Sequence, residues 1–212
     1  MYGIRPGDKR PEAAAFLGLM ADQERNLRGI ADDARYFWHM EFKLSEAPPS
    51  PAWPEGIEVQ PLVASEGERR FYATLEEAFS DHWGHVPVSF ASGKKRRMRH
   101  GFDPGIWFLA VADSEPAGAA ICSISEGVDW VDSLGVRRPW RKRGLGLALL
   151  QHAVGEFHQR GLRRIALGVD AVSAIGATRL YERAGLTVAQ QHATYAKKLR
   201  RGIELTDADD EE

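Results

Sequence analysis

The stretch LGVRRPWRKRGLGLALL, residues 134–150, joins a short apolar run to a helix pattern through a basic loop. The apolar run ends at Val136, and Gly144 and Gly146 open the periodicity of the helix. The first amides of a helix have no partner within the helix, and glycines allow a ligand to approach the backbone closely. The stretch therefore predicts a strand, a loop and a helix start shaped for a phosphate or pyrophosphate.

Two other anion-binding loops fit this stretch less well. A P-loop needs Lys-Ser/Thr directly after its last glycine, and Leu147 and Ala148 stand there instead. A dinucleotide fingerprint needs a third glycine where Leu149 stands, and it uses a tighter turn than the one between Val136 and Gly144. The sequence argues against both.

Composition indicates a cytoplasmic globular protein. The chain has 212 residues, of which 43% are hydrophobic and 27% charged, and it contains no apolar run long enough to span a membrane. Cys122 is the only cysteine, so no disulfide can form within the chain, and we expect it to be a buried small hydrophobe.

Charge favours a small anionic ligand over nucleic acid. The formal net charge is −2, and the acidic tail at 201–212 accounts for it, so the rest of the chain is mildly basic. The basic run KKRRMRH (94–100) lacks interleaved aromatic residues, and we expect it to be the solvated face of a helix.

Along the chain, the patterns predict the order β, α, α, β, β, β, α, β, α, β, β. A strand at 35–44 precedes the first helix pair, and two short strands, 187–191 and 194–199, close the order. The predicted organisation is an N-terminal extension, a proline-rich linker, a main domain and a tail, at residues 1–44, 45–55, 56–200 and 201–212.

The stretch at 134–150 resembles the acetyl-CoA-binding motif of the GCN5-related N-acetyltransferase (GNAT) family, a strand followed by Gln/Arg-x-x-Gly-x-Gly/Ala at a helix start. GATRLYERAGL (176–186) is similar to a later motif of that family, with Ala177, Leu180, Tyr181 and Gly185 at the matching positions. The resemblance implies the GNAT fold, a mixed and mostly antiparallel sheet flanked by helices and splayed between its fourth and fifth strands. It also implies acetyl-CoA as cofactor and N-acetyltransferase activity.

The resemblance assigns roles to individual residues. Backbone groups of Leu134 and Val136 would pair with the pantetheine arm and orient the thioester carbonyl, and Tyr181 would contact the cofactor and protonate the departing sulfur. The remaining residues of the implied cofactor site are Arg141, Arg143, Gly144, Leu145, Gly146, Leu147 and Ala148.

The general base is less defined. Many relatives place a glutamate where Trp130 stands here, and an indole cannot accept the proton. Asp132 lies two residues further along the strand, on the same face by simple alternation, and is the candidate. A water relay or an already neutral amine stays open.

A cluster at the exit of the first helix of the main domain suggests the acceptor site. His82, Trp83 and His85 could stack on and hydrogen-bond a small polar acceptor, or they could cap the helix and fill a groove. We do not expect a metal site at this cluster.

These features predict an enzyme that transfers an acetyl group to a primary amine, with a small molecule as acceptor. A protein N-terminal or lysine acetyltransferase and a non-catalytic acyl-CoA-binding regulatory protein stay open as alternatives. Residues 1–44 resemble the last strands of a preceding GNAT domain, as in tandem members of the mycothiol synthase type. This extension would add to the sheet or mediate a homodimer.

Overall fold

The computed structural model describes residues 33–62, 67–82, 85–97, 103–125, 128–171 and 176–197. The chain divides into two compact units, Trp38–Gln191 and a second one made of the chain ends Met1–Phe37 and His192–Glu212. Of the second unit the structure describes residues 33–37 and 192–197, which carry the start of the first strand and the end of the last. The predicted acidic tail lies outside the described residues.

One seven-stranded sheet runs through the described part of the chain, in the order β2-β3-β4-β5-β6-β1-β7. Neighbours from β2 to β5 pair antiparallel, whereas β5 and β6 pair parallel. This mixed sheet confirms the predicted fold class. The strands are β1 (Asp33–Lys43), β2 (Ile57–Pro61), β3 (Trp107–Ala112), β4 (Glu115–Ser125), β5 (Val128–Val136), β6 (Arg164–Asp170) and β7 (Thr187–Ala196).

Helices cover both faces of the sheet. The described helices are α1 (Gly67–Phe79), α2 (Phe90–Arg97), α3 (Leu145–Gln159) and α4 (Ala177–Arg183). Gly135 on β5 faces α1, where a Cβ added to it would come 2.8 Å from the Cβ of Ala78. Gly118 on β4 faces α3, where such a Cβ would lie 3.2 Å from a methyl of Leu149. Gly118 pairs across the strands with Val136, the residue after Gly135. Because successive strand residues point to opposite faces, Gly135 and Gly118 face opposite sides of the sheet, and so do α1 and α3.

The strand β3 lies at the centre of the core. All six of its side chains are buried, as expected for a strand covered by helices on both faces. The proline-rich stretch packs beside it, because the Trp53 ring lies edge-on to His152 of α3 at 5.7 Å, and His152 in turn meets Phe108 at 4.5 Å between ring centroids. These aromatic contacts attach the predicted linker to the main domain.

The strand β1 takes an interior place in the sheet, between β6 and β7. The Leu44 amide, just after β1, donates to the Arg163 carbonyl just before β6 at 2.9 Å. Met40 on β1 is fully buried, which stabilises this placement by removing apolar surface from water. The two short final strands predicted at 187–191 and 194–199 are instead the one strand β7, so that prediction is wrong.

The helix α2 ends at Arg97, within the basic run. Lys94, the first residue of that run, pairs with Glu68 of α1. This ion pair fits the interpretation of the run as a helix face.

Candidate functional site

A seam opens between β5 and β6. Their parallel register covers Asp129–Val131 against Ile165–Leu167, whereas β5 continues to Val136 with β4 as its partner. The two strands therefore diverge after Val131. They are the fourth and fifth strands counted from β2, so the splay lies where the resemblance implied it.

The backbone of β5 presents polar groups to this seam. The Arg137 amide donates to the Ala117 carbonyl just inside β4 at 3.0 Å. In an antiparallel ladder alternate residues direct both backbone groups to the same neighbour, so Gly135 also faces β4. Leu134 and Val136 consequently direct their N–H and C=O groups away from β4, into the seam.

One of these groups is already bonded. The Val136 carbonyl accepts a hydrogen bond from Nε of Arg141 at 3.0 Å. The groups that remain for a ligand are both backbone groups of Leu134 and the amide of Val136. This pattern fits the strand-like pairing implied for a pantetheine arm.

The loop before α3 has the geometry of an anion site. Lys142 and Gly144 adopt left-handed backbone angles, with φ of 61° and 88°, and left-handed residues occur in the backbone nests that bind anions. Within the described residues, no acceptor bonds the amides from Lys142 to Leu147. The Ala148 amide instead donates to the Gly144 carbonyl at 3.1 Å, so Ala148 belongs to the helix ladder and adds no donor to the predicted cofactor site.

Gly146 brings the three elements of the site together. A Cβ added to it would lie 3.1 Å from Leu180 of α4, 3.7 Å from Val136 and 3.9 Å from Leu134 of β5. The start of α3 can approach the seam this closely because residue 146 has no side chain. Leu145 beside it is buried and Leu147 is half-buried, so their amides rather than their side chains are available to a phosphate.

The two predicted arginines differ in availability. Arg141 directs two nitrogens to the carboxylate of Asp81, at 2.6 and 3.1 Å, and one to the Ala78 carbonyl at 2.9 Å. These bonds hold the pKa of Asp81 at about 2, and they turn the Arg141 guanidinium to α1 rather than to the loop. The Arg143 guanidinium lies 5.0 Å over the Trp140 ring, and this exposed residue keeps its charge beside the loop.

Tyr181 lies in the core next to Leu180. Its side chain is buried, and burial raises the pKa of the phenol to about 12. A phenol with this pKa keeps its proton at neutral pH, which suits a group that must donate one.

Asp132 occupies a β-bulge. The register changes from Ile121 opposite Ser133 to Cys122 opposite Val131, so Asp132 is the extra residue. After the bulge Ser133 continues the face of Trp130, so simple alternation along β5 does not assign the face of Asp132. Asp132 is exposed, whereas Cys122 is buried as expected.

The predicted acceptor cluster is described in part, because Trp83 lies outside the described residues. The His82 ring meets Phe79 edge-on at 4.7 Å, and the Nε2 atom of His85 lies 3.4 Å from a carboxylate oxygen of Glu76. Burial lowers the pKa of His82, while the charges of Asp81 and Asp170 oppose that shift. Asp170 ends β6, so His82 lies close to the mouth of the seam.

A second cluster near the seam was missed by sequence reasoning. His39 on β1 stacks on Trp130 of β5, with 4.8 Å between ring centroids, and Glu41 bonds Arg164 of β6. More than a hundred residues separate Glu41 from Arg164. The sequence predicted a strand at 35–44 but not these contacts. Among the residues that the structure describes, no three potential metal ligands come together.

Comparison with known proteins identifies the class to which this fold and site belong. Residues 69–186 match the family described as "Acetyltransferase (GNAT) family". The match covers more than half of the chain, and the chain belongs to this family. In the described part no helix is long and apolar enough to cross a membrane.

Three relatives are informative. The chain is 31% identical over 141 residues to a mycothiol acetyltransferase of Thermobispora bispora, a match that covers 63% of this chain and 48% of that protein. It is 24% identical over 171 residues to a mycothiol acetyltransferase of Catenulispora acidiphila, covering 77% and 54%. The crystal structure of a GCN5-related N-acetyltransferase from Sphaerobacter thermophilus superposes with a TM-score of 0.75 and 36% identity, covering 88% of this chain and 58% of that one. The chain thus spans about half the length of the curated relatives.

Proposed function

We propose that this chain is an acetyl-CoA-dependent N-acetyltransferase that acts on the primary amine of a small molecule. The observation that carries the proposal is the convergence at Gly146, where the start of α3 lies against the side chains of Leu134 and Val136 on β5 and of Leu180 on the helix of Tyr181. The mycothiol acetyltransferases among the relatives support a small-molecule acceptor.

The residues present fit acetyl-CoA. The amides from Lys142 to Leu147 would hold its pyrophosphate, with the open space beside Gly144 and the charge of Arg143 on the same side. The backbone groups of Leu134 would align its pantetheine arm along β5. Acetyl-CoA supplies an acetyl group activated as a thioester.

Catalysis would then depend on fixed donors around the thioester. The Val136 amide points into the seam, where it can stabilise negative charge that develops on the carbonyl oxygen. Tyr181 follows Leu180, the neighbour of Gly146, and holds a proton at neutral pH. It would protonate the leaving sulfur. The acceptor must lose a proton before it attacks.

The test is a pair of measurements on the full chain. Calorimetric titration with acetyl-CoA, with NAD and ATP as matched nucleotide controls, should show binding of acetyl-CoA alone. Thiol release is then followed over a panel of small amines and of peptides with free N-termini or lysines. Turnover with small amines supports the proposal, whereas turnover with peptides alone favours a protein acetyltransferase.

A third outcome separates catalysis from mere binding. If acetyl-CoA binds but neither acceptor class releases thiol, and Tyr181→Phe changes nothing, the chain is a non-catalytic acyl-CoA-binding protein. If acetyl-CoA does not bind at all, the proposed acetyl transfer and the binding-only alternative both fail.

A further inference from the structure

The face of the sheet that carries α1 continues beyond that helix onto β5, β6 and β1. Trp130 stands opposite Ser123 on β4, and Ser133 stands opposite Ile121. Ser123 and Ile121 are two residues apart and share a face, so Trp130 and Ser133 share it too. Gly135, two residues after Ser133, contacts α1. Trp130 therefore lies on the α1 face, opposite to the face on which α3 packs.

An imidazole covers this indole. The rings of His39 and Trp130 stack with 4.8 Å between centroids and 27° between planes. Ala166 pairs with Trp130 in the parallel register, and β6 lies between β5 and β1. The small side chain of Ala166 lets the rings of His39 and Trp130 meet above β6. Trp130 directly precedes Val131, after which the seam opens, so the ring pair forms a wall at the closed end of the seam.

His39 is oriented by a fixed carboxylate. Its Nε2 atom lies 3.5 Å from Oε1 of Glu41, and Glu41 is itself held by Arg164 through contacts of 3.0 to 3.2 Å. Nε2 is buried and makes no hydrogen bond, and the Glu41 carboxylate is the acceptor beside it. The proton of a neutral imidazole belongs on the nitrogen that faces a carboxylate. Nδ1 is then the basic nitrogen.

The His39 ring is partly exposed. The His39 side chain keeps 17% of its surface exposed, and the buried Nε2 contributes none of it. Glu41 on its own strand, itself paired with Arg164 of β6, is the charged group beside this imidazole, while Trp130 on β5 is uncharged. His39 is thus an imidazole with an orienting carboxylate, stacked on Trp130, the position at which the family resemblance implies a glutamate in many relatives.

We propose that His39, on the strand β1 that precedes the family domain, accepts the proton of the acceptor ammonium at Nδ1. This inference rests on the proposed function. The ammonium loses one proton to Nδ1, directly or through one water, and the imidazole becomes an imidazolium. The amine nitrogen forms a bond to the thioester carbon, and the C–S bond breaks. The departing thiolate takes the phenol proton of Tyr181, the second amine proton leaves to solvent, and solvent resets both side chains.

The two faces of the sheet separate cofactor binding from proton acceptance. The phosphate loop opens α3, which packs on one face, and the His39–Trp130 wall stands on the other. Acetyl-CoA and the amine would therefore enter from opposite sides and meet in the seam between β5 and β6. His82 at the exit of α1 lies on the amine side as well, and it is the competing base.

The test compares His39→Phe with wild type over about pH 6.5 to 10, using thiol release with the aliphatic amine that wild type acetylates fastest. Phenylalanine keeps the stack on Trp130 and removes the proton acceptor. At pH 7 nearly all of an aliphatic amine is protonated, so we expect a rate loss of about 10²-fold or more. Near pH 10 the amine is largely neutral without a protein base, so the rate loss of His39→Phe relative to wild type should shrink to less than about threefold. Tyr181 does not limit this recovery, because its pKa is about 12.

Controls keep the outcomes distinct. His158→Phe, at the end of α3 and away from the seam, should follow wild type at every pH. Calorimetry with acetyl-CoA must give wild-type affinity for His39→Phe, and His39→Asn replaces that variant if it does not. A loss that stays constant across the pH range, no loss at all, or a pH-dependent loss in His82→Phe instead of the His39 variant overturns the proposal. If wild type itself releases no thiol at any pH, it is the proposed function that fails.

Discussion

Gly144 is the position at which one added charge tests the anion site. Its φ of 88° lies in the left-handed region, and a Cβ added there meets nothing within 4 Å. Asparagine and aspartate tolerate this conformation better than other residues with side chains, and the two have nearly the same size. Gly144→Asn and Gly144→Asp therefore differ by a single negative charge at the start of α3.

The expected difference follows from Coulomb's law. Two unit charges 4 Å apart repel by about 1 kcal/mol in water and by about 4 kcal/mol at an effective dielectric constant of 20. Gly144 is exposed, so the lower end of that range applies, about 1 to 2 kcal/mol. Gly144→Asp should thus bind acetyl-CoA roughly 5- to 30-fold more weakly than Gly144→Asn, and the Asn variant should stay within about threefold of wild type.

The assay is calorimetric titration of acetyl-CoA at about 0.05 M and about 0.5 M salt. Screening shortens the reach of exposed charges, so the gap between the two variants should narrow at the higher salt. Gly155→Asp adds the same charge to the same helix in open space and should bind like wild type. Equal affinity of the Asp and Asn variants at low salt would refute the assignment of the pyrophosphate to this loop.

Three further perturbations test neighbouring parts of the account. Tyr181→Phe should lower turnover by about 10²-fold or more with unchanged acetyl-CoA affinity. The control Tyr72→Phe on α1 should leave turnover intact. Equal losses of turnover in the two variants would contradict a proton-donating role of Tyr181. Gly146→Val should lower the free energy of unfolding in urea by about 1 to 3 kcal/mol, because its Cβ would start 3.1 Å from a leucine of α4. Gly155→Val, whose Cβ would lie in open space, should lower the free energy of unfolding clearly less than Gly146→Val does. For Asp81, whose pKa of about 2 lies below its ordinary value of 3.8, the folded state loses stability as pH falls from about 4 to about 2. The stability gap between wild type and Asp81→Asn should close over that window, and a gap unchanged at pH 2 would count against the Arg141 pairing.

The parts of the site that follow from local sequence could be predicted. The strand that ends at Val136, the basic loop and the helix start near Gly144 are neighbours in the chain. Their geometry depends on helix termini and glycine rather than on distant contacts. The splay between β5 and β6 followed from the resemblance, and the structure shows it after Val131.

The parts that depend on distant residues could not be predicted. Arg141 belongs to the loop motif, but Asp81, sixty residues away, holds its guanidinium. The bulge at Asp132 depends on the register with β4, so counting along β5 could not assign the face of that residue.

The strand β1 is the clearest case of a non-local feature. Its alternating pattern predicted a strand, but nothing in the pattern indicated a place between β6 and β7. The neighbourhood of His39 and Trp130 exists only because β1 lies there. The preceding-domain origin of residues 1–44 stays a prediction.

The most direct test of the central claim is to observe the backbone amides while acetyl-CoA is added to the ¹⁵N-labelled full chain. The account predicts that the largest shifts fall on the loop from Lys142 to Leu147 and on Leu134 and Val136, with the edge strand β2 unchanged and with no such pattern for NAD. Shifts confined to other elements, or none at saturating acetyl-CoA, would contradict the placement of the cofactor in the seam between β5 and β6.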